Sequence, residues 1–89
     1  MFYVYILEDQ KGDFYTGFTT NLKRRLQEHN QGRTFSTKHR QWHCVYYEAC
    51  TDENDARRRE HYFKTNQGRR AVRTRLQCYL QKRRKPKLH

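Results

Sequence analysis

The run "FYVYIL" at residues 2–7 constrains the fold more than any other stretch of the chain. It is unbroken, β-branched and aromatic, and it stops at Glu8 and Asp9. Such a run predicts a buried strand over about residues 2–8. In a strand, Tyr3, Tyr5 and Leu7 point to one side and Phe2, Val4 and Ile6 to the other. "DQKGD" then reads as a turn carrying Gly12, and "FYTGFT" as a second strand, which together make a hairpin. Tyr15 and Gly17 share one face of that second strand, and a glycine there allows close backbone approach. At 89 residues there is room for one small domain and no second core. Only 34% of residues are hydrophobic and the mean hydropathy is −1.38, a balance that by itself leans towards disorder. Seven Tyr, five Phe and one Trp oppose it, since each ring buries a large area. The expectation is a compact domain with an aromatic-rich core.

Beyond the hairpin, Thr20 and Asn21 supply N-cap chemistry for a helix of about residues 21–31, and Gly32 is placed to end it. Leu22 and Leu26 form its apolar stripe. Arg25 and His29 are also four apart, one turn from each other beside that stripe, while Lys23 and Arg24 point elsewhere. "RTFSTKHRQ" reads as a polar loop and "WHCVYYEAC", about residues 42–50, as a third strand. Thr51 and Asp52 can cap a helix running to about residue 65, with Ala56, Glu60 and Phe63 on one side. "TNQG" reads as a break. A last basic helix over about 69–83 carries Val72, Leu76 and Leu80, and "KRRKPKLH" reads as a frayed tail. The order β-β-α-β-α-α is an α+β class, a small three-stranded antiparallel sheet flanked by helices.

Twenty Lys and Arg against nine Asp and Glu give a net charge of +11. The imbalance is one-sided, because no acidic residue follows Glu60. Such a field favours a polyanion, most commonly nucleic acid, over a solvated charged surface with no partner. The last third lacks the apolar face of an interfacial helix, and no apolar run is long enough to span a bilayer. "MFYVYILED" is too short for a signal peptide and acidic at its end. The three Cys show no CxxC spacing. Cys44 and Cys50 would share a strand face about 20 Å apart at ~3.3 Å per residue, too far for a disulfide or a shared metal. Free thiols in a reducing cytoplasm are expected.

Taken singly, the polar residues admit plain readings. Two tyrosines on a hairpin pack against each other by default. Arg25 can grip a phosphate through its bidentate fork or simply touch a backbone phosphate, as Lys23 and Arg24 can. Glu60 can pair with a neighbouring Arg, or hold one hard cation whose other ligands are waters and phosphate oxygens.

As an ordered set they read differently. "YVY" at 3–5, "YTG" at 15–17, Arg25 with His29, and Glu60 on a later helix resemble the GIY-YIG nuclease superfamily over nearly the whole chain. The small single-domain members are the nearest likeness, through Ser36–Lys38, Val45–Glu48 and Arg57–Glu60. Tyr3 stands where the first motif has Gly and Thr16 where the second has Ile, neither of which supplies chemistry; Asn66 sits near the place of a further Asn. The resemblance implies a nuclease domain over residues 1–81 with a basic tail at 82–89. It implies a metal-dependent endonuclease, with DNA ahead of RNA as substrate and Mg²⁺ or Mn²⁺ as cofactor. Tyr5, Tyr15, Arg25, His29 and Glu60 are then the expected catalytic set, with Glu60 as metal ligand. One Tyr is implied as base and the other as the group that orients water or phosphate; the residues do not say which is which. A phenol of pKa about 10 is a poor base, so Arg25 and the metal are expected to lower it and His29 to take its proton. Lys23, Arg24, Lys38, Arg69, Arg70 and Arg73 are the expected nucleic-acid contacts. The alternative is a non-catalytic nucleic-acid-binding module that keeps the nuclease fold.

Overall fold

A computed structural model describes residues 1–32 and 40–84, the last of them by its backbone alone. The chain forms β1 (Phe2–Asp9), β2 (Phe14–Thr19), α1 (Leu22–Asn30), β3 (Trp42–Cys50), α2 (Glu53–Phe63), α3 (Asn66–Arg75) and α4 (Gln77–Arg84). The sheet is antiparallel in the order β2-β1-β3. The expected α+β order is borne out, with the final basic segment divided in two at Leu76. Lys38, the rest of 33–39 and residues 85–89 lie outside the described residues.

β1 is central, and its alternation builds two cores. Val4 and Ile6 pack with Ala56, Phe63, Val72, Leu76 and Leu80 under α2, α3 and α4. Tyr5 and Leu7 pack with Trp42, Tyr15, Leu22 and Leu26 under α1. Pairing with β3 slips between Ile6, opposite Tyr46, and Leu7, opposite Cys44, so Val45 is an extra residue in a β-bulge. The bulge corrects one expectation: Cys44 packs on the Tyr5 side and Cys50 on the Val4 side, so they do not share a face. Both thiols are free, as is that of Cys78.

The hairpin turn is organised by Asp9. Its carboxylate accepts from the amides of Lys11 at 2.9 Å and Asp13 at 2.8 Å and pairs with Arg40 at 3.0 Å. Burial alone would raise its pKa; those amides and the guanidinium together hold it below the ordinary value. Gly12, at φ 90°, supplies the positive φ the turn needs. Next to it Glu8, 1% exposed, anchors the C-terminal helix through Tyr79 and Arg83.

The turns from β2 into α1 and from α2 into α3 each close on a side-chain cap. Asn21 accepts from the Arg24 amide at 3.1 Å to start α1. Thr65 does the same for α3, from Gly68 at 3.1 Å, so the expected break "TNQG" contains a helix start. Gly68 lies where α3 touches the end of α2, and a Cβ there would stand 1.9 Å from the Tyr62 carbonyl oxygen. Helix propensity alone favours Ala over Gly by about 1 kcal/mol. The contact reverses the sign: Gly68→Ala is expected to lose roughly 1–3 kcal/mol in urea unfolding, an overpacking cost. A stabilised variant would show that α2 and α3 do not meet this closely.

Candidate active site

The site begins with register. Tyr5 lies opposite Gly17, and its ring leans across the strand over that glycine. A Cβ on Gly17 would come 2.3 Å from the Tyr5 Cζ and hydroxyl oxygen. The open backbone lets the ring pass and carries the hydroxyl to α1. There the Tyr5 oxygen stands 2.7 Å from His29 Nε2, and Arg25 Nε donates to it at 3.4 Å. Arg25 and His29 meet one hydroxyl because they are one helical turn apart.

Tyr5 and His29 have no exposed surface, so their polar atoms need partners within the protein. A guanidinium only donates. With Arg25 donating to the phenol oxygen, the phenol's own hydrogen is left to donate to Nε2. Burial pushes the Tyr5 pKa up to about 12, and the Arg25 hydrogen bond and charge only partly oppose it. Burial likewise brings His29 down to about 4, assisted by the Arg25 charge. Arg25 does act to lower the tyrosine pKa, as expected, but in the protein without metal or substrate desolvation outweighs the cation and the net shift is upward. Both groups rest neutral.

Tyr15 enters from β2. Its ring meets the His29 ring edge-on at 5.0 Å between centroids and Trp42 at 6.0 Å, so an aromatic wall fixes the imidazole. Arg25 is steadied by Glu28 at 3.0 Å, and its side chain stays 34% exposed, within reach of a ligand. Glu60 arrives from α2. Its carboxylate accepts from Lys64 at 3.1 Å, and its charge acts on Tyr5, raising that pKa further.

Four of the five expected residues thus converge directly, and Glu60 comes close enough to be felt. Lys23 and Arg24 lie exposed on α1, and Arg69, Arg70 and Arg73 exposed on α3. Arg69 and Arg73 line a groove of about 400 Å³ together with Tyr15 and Lys64. Sequence reasoning missed Glu28, Trp42 and Lys64. The spacing of Glu28 from Arg25 and of Lys64 from Glu60, three and four residues on a helix, was the available signal. Nothing local marks Trp42, which reaches Tyr15 only through the sheet.

The lowered His29 pKa has a consequence for stability. Between its folded value near 4 and its unfolded value near 6.5, only the unfolded chain binds the proton. Stability from this group is therefore full above pH 6.5 and lost as pH falls towards 4, by on the order of 3 kcal/mol. Urea unfolding of wild type and His29→Gln across that range should show the loss in wild type only. Parallel pH profiles would mean that His29 titrates normally in the fold.

Residues 1–77 match the family model of the GIY-YIG catalytic domain. The chain is 40% identical over 65 residues to a UPF0213 protein of Desulfotalea psychrophila, covering 70% of this chain and 59% of that protein. It is 39% identical over 67 residues to a UPF0213 protein of Pediococcus acidilactici, covering 71% and 68%. The chain therefore spans less than two thirds of the first relative's length and just over two thirds of the second's. The solution NMR structure of a UPF0213 protein from Bacillus halodurans superposes with a TM-score of 0.53 at 29% identity, over 83% of this chain and 84% of that one. With the tyrosines, the Arg–His turn and the later glutamate in the order that family requires, the chain belongs to the GIY-YIG catalytic domain family.

Proposed function

We propose that this domain is a divalent-metal-dependent endonuclease that hydrolyses phosphodiester bonds, with DNA as the first substrate to test. The observation that carries the reading is the Tyr5 hydroxyl held between neutral His29 and cationic Arg25. A tyrosine needed only for packing does not require a buried base on one side and an exposed-edged arginine on the other.

Among the described residues no three His, Cys, Asp or Glu converge as a metal cage. That suits Mg²⁺ or Mn²⁺, which are commonly held by one or two carboxylates with water and substrate phosphate oxygens completing the shell. Glu60 fits the part, being the carboxylate whose charge reaches Tyr5. When bound, the cation would supply positive charge against the phosphate.

The protein groups then divide the work. Arg25 takes the phosphate on its exposed edge and stabilises the charge that develops there. Its bond to Tyr5 is long at 3.4 Å, so turning to the substrate vacates an acceptor position on the phenol oxygen, and the attacking water takes it. As that water gives a proton to Tyr5, Tyr5 passes its own to His29 Nε2. The phenol ends uncharged, so its high pKa is no obstacle, and the imidazolium is formed beside an anionic phosphate. Tyr15, which lines the groove and packs on His29, holds the imidazole in place and faces the substrate.

The test is cleavage of single-stranded, nicked, branched and duplex DNA, and of RNA, with Mg²⁺ or Mn²⁺. Glu60→Ala and EDTA should each abolish cutting. Arg25→Lys, which keeps the charge and loses the fork, should cost about 10²- to 10³-fold. No cutting of any substrate by wild type would favour the binding module, and cutting that survives Glu60→Ala would refute the mechanism.

A further inference from the structure

A groove runs between β2 and the corner where α2 meets α3, on the Val4 and Ile6 side of the sheet, and reaches the Tyr5–His29 side through Tyr15. Its lining is apolar at Ile6, Phe14, Tyr15, Phe63 and Val72 and basic at Lys64, Arg69 and Arg73. At about 400 Å³ it lies at the small end of ligand clefts, roughly 300–1,000 Å³. Two of its residues tie it to the catalytic groups: Tyr15 packs on His29, and Lys64 is bonded to Glu60.

Charge along the groove is ordered. Asp13 lies at the hairpin end, occupied by Arg40 at 3.4 Å, and bars a phosphate there. Lys64, bonded to Glu60, and Arg69 mark the α2–α3 end. At the hairpin end the Arg73 guanidinium stands 5.8 Å over the Phe14 ring. A flat base sandwiched between the two needs roughly 7 Å, twice the ~3.5 Å contact distance. Arg73 is exposed, so a swing of about an ångström admits one.

We propose that this groove is a subsite for one unpaired nucleotide next to the scissile phosphate. Its base stacks between Phe14 and Arg73, and its phosphate lies against Lys64 and Arg69. The inference rests on the nuclease reading for the words "next to the scissile phosphate", but the groove binds whether or not the site cuts. A base can enter only out of its duplex, so the subsite selects strands with an unpaired nucleotide at that position.

Binding in EDTA separates the two proposals, since cutting is then absent. Fluorescein-labelled duplexes with a single unpaired nucleotide, which fixes the register, are titrated against the full chain by anisotropy, with that nucleotide intact or abasic. One abasic position should weaken wild-type binding about tenfold, the scale of one base stacked on an aromatic ring. That penalty should shrink below about twofold in Phe14→Leu, which keeps an apolar residue in β2, and in Arg73→Gln, which changes only an exposed side chain. 2-Aminopurine at the same position should be quenched on binding to wild type and not to Arg73→Gln. Equal affinity for the intact and abasic duplexes, or an unchanged penalty in both variants, would overturn the subsite. A wild type that shows the abasic penalty in EDTA but cuts no substrate with Mg²⁺ or Mn²⁺ would overturn the nuclease reading alone.

Discussion

The Tyr5 ring passes over the backbone of Gly17, and most of the active face depends on that crossing. β1 and β2 pair so that these two residues lie opposite each other. With no side chain at 17, the phenol reaches beyond its own sheet and puts its oxygen against α1. The hydroxyl is buried and must be satisfied; His29 and Arg25 satisfy it from consecutive turns of one helix. One hydrogen-bonded group therefore sets the seating of α1 and assembles the polar site. Leu22 and Leu26 provide the apolar adhesion, and Tyr5 provides the register.

Burial is also the dominant electrostatic effect. It outweighs the adjacent guanidinium, leaving a neutral phenol and a neutral imidazole in contact. Without metal or substrate the pair therefore rests uncharged at neutral pH, and the relay proposed through the tyrosine needs no phenolate. The second face of the sheet contributes at a distance. α2 brings Glu60 to the edge of the site, and Gly68 lets α3 close against α2, which aligns Lys64, Arg69 and Arg73 along one groove.

Much of this was legible in the residues. Alternation in "FYVYIL" gives both faces of β1, Asn21 and Gly32 bound α1, and the i, i+4 spacing of Arg25 and His29 puts them on one turn. The strong signals are local and periodic. What escaped depends on partners distant in sequence. The bulge at Val45, which sends Cys44 and Cys50 to opposite faces, arises from pairing with β1 and leaves no mark in "WHCVYYEAC". "TNQG" has the composition of a break, yet Gly68 is there because the α2 backbone passes too close for a side chain. The net direction of the Tyr5 pKa is hidden for a related reason: the neighbouring cation can be read from spacing, whereas the depth of burial cannot.

The most direct test is side-chain NMR of the Tyr5 and His29 titrations in wild type and Gly17→Ala. Wild type should show Tyr5 ionising near 12 and His29 near 4. In Gly17→Ala the fold should persist while the hydroxyl is pushed out of reach, and His29 should titrate measurably closer to its ordinary 6.5 as the site opens. Unchanged titrations in a folded Gly17→Ala protein would show that the crossing over Gly17 does not hold the site together.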